Sequence, residues 1–162
     1  MNKHNFNVKI VTWDSAKQNI KPIRETVFIQ EQHVPAELEW DGLDKESIHV
    51  LATLEDNTSV GTARLLSNGH IGRMAVLREY RNMGIGSAML SALLEYASKH
   101  QISDLFLLAQ TQAISFYEQY GFSAIGEIFM DAGIPHKKMT YSQIQTDTTD
   151  KIDTGNSNVG TG

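Results

Sequence analysis

The sequence predicts an α/β domain built on one mixed, mostly antiparallel sheet with flanking helices and a parallel strand–helix–strand crossover. Three observations carry that prediction. The first half holds short alternating segments separated by turn residues. After Asp104 comes a continuous apolar run, Leu105-Phe106-Leu107-Leu108-Ala109, the pattern of a strand buried on both faces and parallel to its neighbour. Before it, Ile85, Met89, Ala92, Leu93 and Tyr96 recur at helical spacing, so a helix bridges the two. With 162 residues, 41% of them hydrophobic, the chain can build one substantial core.

Phe6, Val8 and Ile10 alternate with polar neighbours and give a first strand to about Trp13. Helical material follows, with Pro22 as a first-turn proline and Ile23, Val27 and Gln30 on one face, ending near His33-Val34-Pro35. The acidic stretch from Glu37 to Asp44 reads as a solvated loop. Ile48 to Leu54 forms a second strand, Asp56-Asn57-Thr58-Ser59 a turn, and Val60 to Leu66 a third strand. Asn68-Gly69 signals a type I′ turn into a fourth strand, His70 to Leu77. Beyond the crossover, a second helix runs from about Gln112 to Tyr120 and is closed by Gly121. A strand from Phe122 to Met130, a turn over 131–135 and a last strand from Lys137 to Tyr141 complete the domain, 1–142. From Gln143 onward Thr, Asp, Gly, Ser and Asn dominate, and 143–162 is expected to be a flexible tail.

Composition excludes several function classes. With no cysteine, there is no disulfide, no thiolate metal site and no acyl-cysteine intermediate. A net charge of -5 argues against a general nucleic-acid binder and suits a cationic amine substrate. No leader-like or membrane-spanning apolar segment is visible, so a cytoplasmic protein is expected. No histidine pair has metal-ligand spacing. His49 sits in an apolar strand pattern and reads as a hydrogen-bonded core residue; His4, His33, His70 and His100 read as turn or surface residues.

The chemistry centres on Arg81-Asn82-Met83-Gly84-Ile85-Gly86-Ser87, which joins the fourth strand to the long helix. Two glycines at a helix mouth allow close backbone approach, and the free N–H groups of the first turn favour an anion. A dinucleotide fingerprint needs a third small residue where Met89 stands, and a P-loop needs lysine where Ser87 stands, so both readings fail. Arg81-x-x-Gly84-x-Gly86 after Arg73-Met74-Ala75-Val76 resembles the acetyl-CoA-binding motif of the Gcn5-related N-acetyltransferases (GNAT). Ala113-x-x-Phe116-Tyr117-Glu118-x-x-Gly121-Phe122 resembles that family's second signature. Arg24-x-x-Val27-Phe28-Ile29-x-Glu31-Gln32-x-Val34-Pro35, Glu39-x-Asp41 and Gly133-Ile134-Pro135-His136 resemble its small bacterial ElaA-like or YjcF-like branch.

That resemblance implies a GNAT-type fold, acetyl-CoA as co-substrate and direct acetyl transfer to a primary amine. It implies that Met74, Ala75 and Val76 pair with the pantetheine arm and carbonyl. The segment Arg81, Asn82, Met83, Gly84, Ile85, Gly86 and Ser87 holds the pyrophosphate, while Ala113 and Phe116 line the same site, Phe116 by packing. Thioester aminolysis needs a donor for the developing oxyanion, an acid for the leaving sulfur and a base for the ammonium proton. Tyr117 is the expected acid, since a phenol with an ordinary pKa of about 10 holds its proton at neutral pH. Base candidates are Glu31, Glu37, Glu39, Asp41 and His136, with Glu31 and His136 flanking the acceptor cleft. A small-molecule amine is the preferred acceptor, a protein amine the alternative, and a non-catalytic acyl-CoA sensor the reading from another class. Edge strands of such a sheet can pair between subunits, which admits a homodimer.

Overall fold

The computed structural model describes residues 5–142; the expected tail and His4 lie outside the described residues. Seven strands form one sheet in the order β1-β2-β3-β4-β5-β7-β6. They are β1 (Phe6–Thr12), β2 (Ile48–Leu54), β3 (Ser59–Leu65), β4 (His70–Val76), β5 (Phe106–Gln110), β6 (Phe122–Asp131) and β7 (Ile134–Tyr141). Every pairing is antiparallel except β4–β5, which closes the crossover through α3 (Ile85–Lys99). This is the mixed sheet that the sequence predicts.

The two faces have separate cores. On one face α3 packs on β1 to β4 and α4 (Ile114–Glu118) on β6, with Met74, Val76, Met89, Leu93, Leu107 and Tyr117 buried. On the other, Ile20 and Ile23 of α1 (Trp13–Arg24) and Val27 and Phe28 of the segment that follows it pack with Leu51 and Ala75. Burying side chains of this size contributes about 1.5–3 kcal/mol each, so the two cores clamp the sheet from both sides.

Four local expectations are corrected. The first helix starts at Trp13, where the Thr12 hydroxyl accepts the Ser15 N–H at 3.2 Å, and Pro22 lies inside it. Having no N–H to give, Pro22 weakens the ladder. The chain then widens into a π-helical segment, Glu25–Glu31, in which the Gln32 N–H reaches back five residues to Val27 O at 3.1 Å. The acidic stretch is a solvated loop only in its second half, where Asp41, Gly42 and Leu43 are exposed. Its first half is α2 (Ala36–Glu39), and Glu39 and Asp44 are buried.

The Asn68-Gly69 hairpin is not type I′, because only Gly69 has positive φ, +95°. The Gly69 N–H donates to Leu66 O, as in a type I turn closed by a left-handed glycine. A Cβ at Gly69 would stand 2.2 Å from Asp104 O, so close approach of the next loop also requires glycine here. The I′ geometry occurs instead at Ala132-Gly133 (φ 54° and 77°), and β7 consequently begins at Ile134, three residues earlier than predicted. Among the described residues, no helix is long and apolar enough to cross a membrane.

Candidate active site

The site begins where two strands part. β4 and β5 pair only at His70–Phe106 and Ile71–Leu107, leaving the outer edge of β4 from Arg73 to Val76 without a strand partner. At the same level β4 bulges: Arg73 has φ 49°, and its register against β3 jumps between Thr62 and Arg64. Leu77 N–H donates to Val60 O on β3, so strand alternation turns the N–H and C=O of Val76 outward into the gap.

Below the gap lies the mouth of α3. Gly84 has φ +88° and open space where a Cβ would stand, so a ligand can meet bare backbone. The first intrahelical bond of this turn runs from Ala88 N–H to Gly84 O, which leaves the N–H groups of Ile85, Gly86 and Ser87 without a partner inside the helix. The Ser87 hydroxyl is buried and unpartnered. A buried orphan hydroxyl beside free amides and an open glycine fits a diphosphate.

Side chains approach the gap from opposite faces. From the α3 side comes Tyr117, fully buried, its hydroxyl donating to Met74 Sδ at 3.5 Å. Phe116 and Phe122 set the Tyr117 ring edge-on at 5.0 and 6.1 Å. From the α1 side comes His136 on β7, 2% exposed and stacked on Phe129. Its Nδ1 lies 2.7 Å from Ile134 O, a contact that fixes the proton on Nδ1 and leaves the lone pair on Nε2. That Nε2 is buried without a partner, and His136 lines a small cavity of about 50 Å³ with Gln32, Arg73, Gln110 and Asp131. An amide chain runs along its wall, Gln112 donating to Gln110 at 2.7 Å and Gln110 to Gln32 at 3.0 Å.

Glu31, at the end of the π segment, is bound bidentately by Arg81 at 2.8 Å, with Arg78 3.5 Å away. The Arg81 hydrogen bonds hold its carboxyl below the usual range against the opposing effect of burial. Of the remaining base candidates, Glu37 is exposed, whereas Glu39 and Asp41 belong to a buried ion network. Arg24 donates to Glu39 (2.7 Å) and Asp44 (2.6 Å), Arg64 to Asp41 and Asp44 (2.9 Å), and Arg73 to Asp41 (3.1 Å). Burial raises the Glu39 pKa, with Arg73 and Arg24 resisting. For Asp41, burial acts in the same direction, but the Arg64 hydrogen bond, the Leu43 N–H and the charges of Arg64 and Arg73 outweigh it and hold Asp41 at about 2.

Composition and spacing missed this network because its arginines sit far apart in the chain; only the Arg24 and Glu39-x-Asp41 elements of the branch pattern pointed to it. His49 is a core histidine as expected, its Nε2 3.0 Å from Asp44 O. His70 is not a surface residue. Burial first, then the charges of Arg64 and Arg73, lower its pKa to about 4. A larger cavity of about 510 Å³ lies between α1 and the loop after α2, where Trp13 and Trp40 pack on Arg24, and shares no residue with the gap.

A parallel strand pair that opens beside a phosphate-ready helix mouth, with a phenol on one face and an imidazole on the other, is the architecture of an acyl-CoA-dependent transferase. Residues 11–143 match the acetyltransferase (GNAT) domain family, and the chain belongs to that family as an acyl-CoA N-acyltransferase. It is 40% identical over 121 residues to the uncharacterized N-acetyltransferase YjcF of Bacillus subtilis (strain 168), covering 72% of this chain and 86% of that protein. The crystal structure of Escherichia coli ElaA superposes with a TM-score of 0.75 at 27% identity, covering 84% of this chain and 99% of that one. An acyl-CoA N-acyltransferase from Pseudomonas aeruginosa gives 0.72 at 27% identity, covering 86% and 100%.

Proposed function

We propose that the enzyme transfers acetyl from acetyl-CoA directly to a primary amine, with a small-molecule acceptor, inside the gap between β4 and β5. The observation that carries this reading is the loss of β4–β5 pairing after Ile71 and Leu107, which frees the β4 edge for an extended ligand. Met74, Ala75 and Val76 line that edge and receive the pantetheine arm. The backbone from Arg81 to Ser87 receives the pyrophosphate, the free amides of Ile85, Gly86 and Ser87 supplying the donors. Ala113 and Phe116, both buried, close the α4 side.

The co-substrate supplies an activated thioester carbonyl. An outward N–H on the β4 edge donates to the oxygen as charge develops there. His136 Nε2 takes the ammonium proton, since its lone pair is free and His136 lines the small cavity; the Glu31 carboxylate is committed to Arg81. Tyr117 donates its hydroxyl proton to the departing sulfur as the C–N bond forms and the C–S bond breaks. The attacking nitrogen gives up its second proton to solvent as the carbonyl re-forms; of the two protons lost from nitrogen one restores the phenol through solvent and the other is released, and the products are an amide and a thiol.

Tyr117→Phe tests the assignment. Turnover is expected to drop about 10²-fold or more, while calorimetric acetyl-CoA affinity stays the same. A sensor would show no amine-dependent thiol release in either form, and equal turnover in both would remove Tyr117 from the chemistry.

A further inference from the structure

Arg81 opens the Arg-x-x-Gly-x-Gly sequence, yet its guanidinium is committed away from the helix mouth. Nη1 and Nη2 donate to the two carboxylate oxygens of Glu31, both at 2.8 Å, and Nε donates to the Val76 carbonyl at 2.8 Å. All three nitrogens are engaged, in a planar fork that lysine cannot reproduce. The two partners belong to different elements, the π segment and β4. Glu31 ends the π segment that leads directly into Gln32 of the acceptor cavity, and Val76 ends the β4 edge. One side chain therefore ties the segment that leads into the acceptor cavity to the end of β4.

This geometry leaves Arg81 poorly suited to phosphate. The Glu31–Arg81 pair is neutral, so it adds little net attraction for a diphosphate. Drawing Arg81 away would strand the Glu31 carboxylate beside a second anion and uncap the Val76 carbonyl. Arg78, on the 3-10 turn Arg78–Tyr80 just before the mouth, is different: its side chain is 72% exposed and it meets Glu31 only at 3.5 Å. An exposed contact of that length is worth little, so Arg78 can turn to a ligand at almost no cost.

We propose that Arg81 is a positioning residue, a strut that fixes the segment leading into the acceptor cavity against the end of β4, and that Arg78 is the side chain that meets the phosphate charge. The inference rests on the transferase reading above and refines how its site is built.

Calorimetry with coenzyme A and with pantetheine, which lacks the phosphates, separates the two roles. Arg78→Ala is expected to weaken coenzyme A about tenfold, the loss of one charged hydrogen bond, and to leave pantetheine affinity where it was. Arg81→Lys is expected to hold coenzyme A affinity within about twofold while lowering kcat at saturating acetyl-CoA about tenfold or more through misalignment. Glu31→Gln should move kcat the same way. The reverse pattern overturns the proposal: Arg81→Lys weakening coenzyme A tenfold with Arg78→Ala neutral, or Glu31→Gln tightening coenzyme A by releasing Arg81. If Arg81→Lys does not fold, the Arg78→Ala comparison decides alone. A wild-type protein that binds no coenzyme A sinks the transferase reading and this inference with it; binding with the reversed pattern sinks the inference only.

Discussion

The roles proposed for His136 and Arg81 follow from what holds each side chain. His136 is held by Ile134 O through Nδ1, which leaves the lone pair on Nε2. His136→Gln keeps a polar group there but removes that lone pair. The rate is expected to fall about 10²-fold or more at neutral pH, with acetyl-CoA affinity unchanged; a drop under threefold would return the base role to another group. Tyr117 and His136 stand out in the sequence as candidates because their residue types suit the chemistry and they lie in short motifs. The Glu31–Arg81 contact was not legible there, since fifty residues separate its partners. Nothing in the local pattern says that an arginine next to two glycines turns to a carboxylate on another element.

At the scale of elements, the loop after α2 is held by buried charge rather than by apolar packing. Arg24 is 1% exposed and serves both Glu39 and Asp44. Arg24→Ala leaves two buried carboxylates short of a partner, and the expected loss is about 3–5 kcal/mol, measured by urea unfolding; a change below 1 kcal/mol would show that the network is solvated. Asp41 adds an acid-side signature. Its folded pKa of about 2 lies below the ordinary aspartate value, so the unfolded chain binds the extra proton. Its stabilisation is complete above about pH 4 and is lost as the pH falls toward 2. Asp41→Asn should flatten unfolding stability across that window, and an unchanged acid limb would remove Asp41 as its source.

Element types and order were readable from periodicity and turn residues, while boundaries failed where tertiary contacts decided. Ala132 at positive φ has no propensity signal, yet the pairing of Asp131 with Ile134 imposes it. Asn68-Gly69 carried the stronger hairpin signal, but Asp104 packs over Gly69 and the turn takes another form. The helix that continues through Pro22 is a similar override: burial of Ile20, Ile23, Val27 and Phe28 outweighs one missing donor.

For the whole molecule, the crossover was the most legible feature, because a continuous apolar run after a long helix leaves few topologies. The parting of β4 and β5 was not, since sequence marks where strands lie and not where they separate. A ligand filling that gap would bind only the native state and stabilise it by about 2.7 kcal/mol at a hundredfold excess over Kd. Acetyl-CoA should therefore raise the melting temperature. Gly84→Val, whose Cβ meets no protein atom but which crowds the open mouth and strains a backbone held at φ +88°, should abolish the rise; a full shift in that variant would place the ligand elsewhere.

The same parting has a temporal consequence. Strands in the middle of a seven-stranded sheet ordinarily hold the slowest-exchanging amides of a protein. Here β4 is central, yet its outward amides beyond Ile71 have no strand across from them, so they should trade hydrogen for deuterium as quickly as a surface edge does. The fourth strand thus works as a clock set by occupancy: fast when the gap is open, slow when an extended arm lies in it.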